Sequence, residues 1–425
     1  MTEAQLDELG PALASYLDRF VPHFRSTPTF GHLHTYTRGL LSDLPRKTVE
    51  PIALAAGTPV RTLQEFLKDL LWDHSALRDE VQRDLAQLLP TRPDDQLGTV
   101  GLIDETSALK KGTKTPGVAR QYLGCVGKTD DGIVTVHLGV CRATYKTLLD
   151  ADLFLPQSWD QDRPRCRAAG IPDDVVYRPK WQIALGQLDR ALANGLHFDW
   201  FTFDEGYGDK PGYLRGLDDR QLRYVGEVPR SFRCYGTRPQ PGRTASRADD
   251  LVRHSPRFYQ QARQLVRLTR QTLGEQSWEV KAAQVWLAWG GARTYWLLWA
   301  RNLRTGEEKY FVSNAAAAEP VERIVRAGFC RWNVEHSLRL SKGEVGFRHF
   351  EGRNYTALLR HLTLCCLTLT FVAGRAAALR GEKSGGDGGA GLPEPELGVP
   401  AVAGAAAGKQ PAGVYSGGHR LPPAA

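Results

Sequence analysis

Three acids stand where a carboxylate can do chemistry. Asp104 follows the apolar run "TVGLI", and Asp204 follows "FTF", each where a short strand is expected to end. Glu335 lies in "RWNVEHSLRLSKGEVGF", residues 331–347, inside an apolar-periodic run expected to be helical. Carboxylates brought together repel and raise one another's pKa unless a cation neutralises them. An oxygen-only set selects a hard divalent ion, Mg²⁺ or Mn²⁺. Two such ions about 4 Å apart suit phosphodiester chemistry, activating the attacking oxygen and stabilising the leaving one. Taken singly, a strand-end aspartate more often just ends a strand or caps a helix; the signal is the set. Glu205 and Asp209 beside Asp204, and Glu344 beyond Lys342, rank second as ligands.

On a helix Arg331, Glu335 and Lys342 fall within about 40° of one stripe. An ordinary solvated Arg–Glu pair at i,i+4 has the same spacing. The neighbours Phe329, Trp332, Leu338 and Leu340 argue instead for a packed helix whose cations meet phosphate. Lys110, Lys111, Lys114 and Arg120, close after Asp104, are candidate phosphate contacts; a solvated charge run is the plain alternative for each. A glycosidase would also use two carboxylates, but would need neither a metal nor Arg331 and Lys342.

These residues need elements to hold them. Residues 1–95 read as short amphipathic helices, either a helix-turn-helix-like DNA-binding region or a plain bundle. Residues 96–221 open with three antiparallel strands, "LGTVGLIDETS", "VARQYLGCVG" and "IVTVHLGVC", the last two joined by the turn signal "KTDDG". A helix, "KWQIALGQLDRALANGL", and the strand of Asp204 follow. Residues 222–314 read as a β-rich insertion, interrupted by the polar, partly helical stretch "RADDLVRHSPRFYQQARQLVRLT". Its tryptophans, Trp278, Trp286, Trp289, Trp296 and Trp299, suit a β core better than base stacking. Residues 315–380 read as helical throughout, and 381–425 as a disordered Gly/Ala/Pro-rich tail.

The bulk numbers agree with a chain that meets a polyanion. Its 425 residues carry a net charge of +8, mostly through arginine. The seven cysteines form no C-x-x-C pair, which fits scattered thiols in a reducing cytosol and excludes a disulfide framework. The polar start "MTEAQLDELG" is no signal peptide. The apolar window "HLTLCCLTLTFVAG" is shorter than the ~20 residues that span a bilayer, so a buried helix is expected.

The spacing R-x3-E-x6-K, running into "KGEVGFRHFEGRNY", resembles the signature of DDE transposases of bacterial insertion sequences. "LIDETSALKKGTKTPGVARQYLGCVGK" and "FTFDEGYGD" resemble the first- and second-aspartate blocks of the branch called DDE superfamily endonuclease. The resemblance covers roughly residues 30–375. It implies an α+β protein with an RNase H-like mixed-sheet core and a β-rich insertion before the last catalytic helix. It implies Asp104, Asp204 and Glu335 as the metal-binding triad, with Mg²⁺ or Mn²⁺ as two ions, and Arg331 and Lys342 as DNA contacts. It further implies hydrolysis at the ends of a mobile element, then strand transfer into target DNA, by a homodimer in the synaptic complex. The protein would work in the bacterial cytoplasm, on the nucleoid when bound to DNA, with no membrane partner. A catalytically silent DNA-binding descendant is the alternative. Two positions depart from the pattern: Gly328 replaces a tyrosine three residues before the arginine, and Asp-Glu-Thr-Ser replaces Asp-Asp-Thr-Gly.

Overall fold

The computed structural model describes residues 7–270, 274–332 and 344–384. Five helices come first: α1 (Leu9–Asp18), α2 (Thr27–Leu41), α3 (Val49–Ala55), α4 (Val60–Lys68) and α5 (His74–Leu88). Their starts follow from local chemistry. Ser26 caps α2 by accepting from the Thr29 amide, and Asp73 caps α5 by accepting from the Ser75 and Ala76 amides.

The first sheet contains β1 (Val100–Leu109), β2 (Ala119–Leu123), β3 (Lys128–Arg142), β4 (Tyr145–Leu153) and β5 (Trp200–Thr202). β3 is long enough to take two partners along one edge, β2 beside its first residues and β4 beside the rest. Its other edge pairs antiparallel with β1, and β1 pairs parallel with β5. A parallel bridge from Phe201 to Tyr224 continues the order β4-β3-β1-β5 toward β6 (Val225–Val228). This is the α+β, mixed-sheet arrangement of an RNase H-like core. Helix α6 (Lys180–Ala193) packs on β3 and β4, with the Gln187 amide donating to the Val136 carbonyl at 2.8 Å.

Two short helices, α7 (Glu205–Gly208) and α8 (Pro211–Asp219), lead from β5 to β6. β6 then opens a second sheet. After a small ribbon, β7 (Arg233–Cys234) with β8 (Ser246–Arg247), come β9 (Gln264–Arg270), β10 (Gly274–Val285), β11 (Tyr295–Asn302) and β12 (Glu308–Ser313). The order is β6-β12-β11-β10-β9, antiparallel throughout. Helix α9 (Val321–Phe329) packs against both sheets. The last described element is α10 (Tyr355–Ser384). Its span Tyr355–Leu379 is by length and composition apolar enough to cross a membrane. Here Leu358, Leu362, Leu364 and Leu367 are buried, and the helix packs on β4, α2, α4 and α5.

Several expectations need correction. "KTDDG" is strand: Lys128–Gly132 pairs with β2, and the turn lies one step earlier, where Gly127 takes the left-handed backbone at φ +65°. β4 carries no conventional turn signal ahead of it, since Ala143 supplies the positive φ, +49°. β1 does not stop at Asp104 but runs five residues further. Residues 264–270 are a strand within the stretch read as polar and partly helical. Residues 345–354 are not helical. Val345, Phe347 and Phe350 are buried there, and lysine amines, rather than amides one turn on, occupy the carbonyls of Glu344, Arg348 and Phe350.

Candidate active site

The first sheet puts two acids side by side. Its parallel register pairs Leu102 with Thr202, so two residues further along each chain Asp104 meets Asp204. β1 is buried along most of its length; the burial loosens in mid-strand at Asp104 and Glu105, and again at Leu109, where the strand ends. Asp204 lies just past the end of β5 and caps α7, accepting from the Tyr207 amide at 3.2 Å. That hydrogen bond fixes the direction of the carboxylate.

Burial, and next the charge of Asp204, push the Asp104 carboxyl up to about 7; the Arg331 guanidinium opposes them. Arg331 Nη1 stands 3.4 Å from Asp104 Oδ2, and the other carboxylate oxygen accepts from the Glu105 amide at 2.7 Å. Glu105 pairs with Lys180 at the start of α6. The Tyr207 phenol is buried in the field of Glu105, Asp104 and Asp204, which together with desolvation keeps it protonated. Among the described residues the site is thus two oxygen-donor carboxylates with like charge, held half out of water beside one arginine. This donor set fits a hard divalent cation. Among the described residues no group of three His, Cys, Asp or Glu side chains is arranged to hold a metal ion. The expected third acid, Glu335, lies outside the described residues, as does Lys342.

The other sequence candidates fall in distinct places. Glu205 and Asp209 flank α7, one inside its first turn and one at its C-terminal cap. Lys110 is half-buried, and its amine donates to the carbonyls of Arg348 and Phe350. Burial holds that ammonium below the usual lysine range. Lys111 and Lys114 are exposed on the loop after β1, while Arg120 is exposed on β2 opposite Asp131. Of the tryptophans, Trp278 is fully buried, with its ring 4.7 Å from that of Phe329. Trp289, Trp296 and Trp299 pack partly buried on the same core.

Gly328 is explained by its neighbours. A Cβ there would stand 3.2 Å from Val225 Cγ2 and 3.4 Å from Phe311 Cδ1. Its carbonyl accepts from Thr202 Oγ1 at 3.3 Å. The position faces the seam between α9 and the two sheets, so a tyrosine ring has no room at this point of the helix. Sequence reasoning missed Lys180, Arg46, Arg348 and Arg353. The quoted run "RHFEGR" held a signal for the last two; Arg46, some 300 residues earlier in the chain, gave none.

The family described as DDE superfamily endonuclease matches residues 19–285, which include both aspartates and end before Arg331. A protein of Microchaete diplosiphon described as "Probable transposase for insertion sequence element IS701" is 29% identical over 341 residues, covering 79% of this chain and 79% of that protein. With more than half its length matched, the chain belongs to the DDE superfamily endonuclease family.

Proposed function

We propose that this protein is the transposase of an insertion sequence. It binds the terminal inverted repeats as double-stranded DNA, hydrolyses the phosphodiester at each element end and transfers the freed 3′ hydroxyl to target DNA. The observation that carries this is the parallel β1–β5 pair, which sets Asp104 beside Asp204 in a buried, like-charged site. The named likeness to a transposase of an insertion sequence supports the biological setting.

Asp104 and Asp204, with Glu335 as the third ligand, would hold Mg²⁺ or Mn²⁺, the kind of ion such endonucleases generally use. When bound, a pair of ions supplies the activation of the attacking oxygen and the neutralisation of the leaving one. The chain's own residues do the rest. Asp204 is oriented by its helix cap, and Asp104 is kept short of solvent so that its field is weakly screened. Arg331, along with Lys342, contacts the DNA phosphate beside the site and offsets its charge. Lys111 and Arg120 add backbone contacts, while Lys110 acts by holding the 345–354 connection. Residues 1–95 form the DNA-binding region, 96–221 and 315–380 the catalytic core, and 222–314 the insertion. Two copies pair the two element ends, in the cytoplasm where the DNA lies.

The test is cleavage of a duplex carrying the terminal repeat, with Mg²⁺ or Mn²⁺ and with EDTA. Cleavage that requires the ion and is lost in Asp104→Asn, Asp204→Asn and Glu335→Gln supports the proposal. Cleavage that survives in Asp104→Asn and Glu335→Gln refutes the assignment of the triad. Metal-independent activity refutes the mechanism.

A further inference from the structure

We propose that a groove between the loop after β1 and residues 346–353 binds the phosphate backbone of duplex DNA to one side of the bond being cut. The proposal rests on the transposase reading for what the groove meets. A cavity of about 670 Å³ opens there, lined by Arg46, Lys111, Lys114, Arg348, His349 and Arg353 together with the Lys110 stem. Among the described residues the only acid in its wall is Glu351, and that carboxylate is already paired with Arg46. Lys111, Lys114, Arg348 and Arg353 are exposed and make no ion pair with any described residue. Four cations facing one cleft repel one another, and a polyanion relieves that repulsion.

The walls are built, not incidental. Lys110, the first residue after β1, anchors the far wall through the carbonyls of Arg348 and Phe350. Lys47 anchors it from the other side: its amide donates to His349 Nδ1 at 2.9 Å, and its amine to the carbonyls of Leu40, at 2.9 Å, and Glu344. Two lysines are thus consumed in holding the groove, and their neighbours Arg46 and Lys111 are left at its rim. Burial keeps both anchoring ammonium groups below the usual lysine range, and His349 likewise below the usual histidine range. Both anchoring amines are turned onto backbone carbonyls, so the side chains left facing the cleft are the exposed arginines and lysines.

The groove has a fixed offset from the carboxylates. Lys110 lies six residues beyond Asp104 along one extended strand, at most about 20 Å at ~3.3 Å per residue. On a duplex rising ~3.4 Å per base pair, that puts the near wall of the groove about six base pairs from the cut. Side chains on backbone phosphates set position and carry no sequence information.

The experiment compares the full chain with Arg348→Gln/Arg353→Gln and, as a charge-keeping control, Arg348→Lys/Arg353→Lys. Affinity for a labelled duplex is followed from 50 to 300 mM salt, on a terminal repeat and on an unrelated sequence, with thermal unfolding in parallel. We expect the Gln variant to lose about two units from the slope of log affinity against log salt, and about 60-fold in affinity at 0.1 M. The loss should be equal on both sequences, with unfolding unchanged, and the Lys variant should bind within a few-fold of the parent. An unchanged slope overturns the proposal, and so does a loss confined to the repeat. Methylphosphonates placed a few base pairs from the cut should weaken the parent more than they weaken the Gln variant, and an equal loss in both overturns the proposal. If the parent cuts no DNA yet the salt slope falls as expected, the transposase reading fails and the groove stands. If Asp104-dependent cutting is present and the slope is unmoved, the groove alone falls.

Discussion

The two sheets handle charge in opposite ways. In the first, Asp104 is buried next to Asp204, with one arginine against two carboxylates. Around the second, the buried and half-buried acids each have a cation beside them. Lys309 sits 2.7 Å from Glu227 and Arg293 3.1 Å from Asp218, and the Asp218 carboxylate also takes the Tyr295 hydroxyl at 2.8 Å. Residues 222–314 as a whole are the more basic, with 16 Lys and Arg against 7 Asp and Glu, an excess of 9. That excess is on the surface, while the interior of the sheet is aromatic. The first sheet keeps an imbalance at a cost to the fold, and such imbalance marks sites of chemistry.

This contrast can be broken at several points. Asp204→Asn should lower cleavage by roughly a thousandfold or more while leaving the unfolding temperature near that of the parent, because a cap to the Tyr207 amide survives through the amide oxygen. Trp278→Ala in the second sheet should do the reverse. It empties a fully buried ring site and should cost about 3–5 kcal/mol of stability, with activity lost only in proportion to folded protein.

Asp104→Asn should stabilise the metal-free protein, and more so as pH rises. Because the folded-state carboxyl is raised to about 7, ionising it costs stability from roughly pH 4 upward, and that cost is complete above 7. Thermal unfolding in EDTA should therefore show a small difference between variant and parent at pH 4.5 and one of several degrees at pH 7.5. A difference that shrinks with pH would refute the burial account. Smallest of all, Arg267→Met should cost about 1 kcal/mol or less, since its pair with Glu275 on the neighbouring strand is exposed and water screens the acid that remains. A larger loss would show that the second sheet also depends on its charges.

Much of the first sheet could be read from residue types. β1, β2 and β3 were marked by β-branched runs, and α6 by its apolar stripe ending at Asn-Gly. β4 was not, because a positive-φ alanine makes its turn and no rule of composition announces that. "KTDDG" misled because turn chemistry and an exposed strand edge use the same polar residues. The pairing of Asp104 with Asp204 was hinted at by their matched contexts, but their adjacency depends on a parallel register between strands 100 residues apart. The basic groove was out of reach for a similar reason. Arg46 and Arg348 are brought together by carbonyl contacts that Lys47 and Lys110 make with a loop hundreds of residues away.

Helix α10 closes the molecule from the other end of the chain. Tyr16 donates to the Leu367 carbonyl at 3.2 Å, Tyr36 meets His361 at 2.9 Å, and Arg360 caps carbonyls of Phe66, Leu67 and Trp72. Helices α1, α2 and α4 are therefore covered by a segment more than 280 residues further along the chain. Removing residues 355–384 would strip the apolar cover from those helices and from β4, so the two ends of the fold stand or fall together.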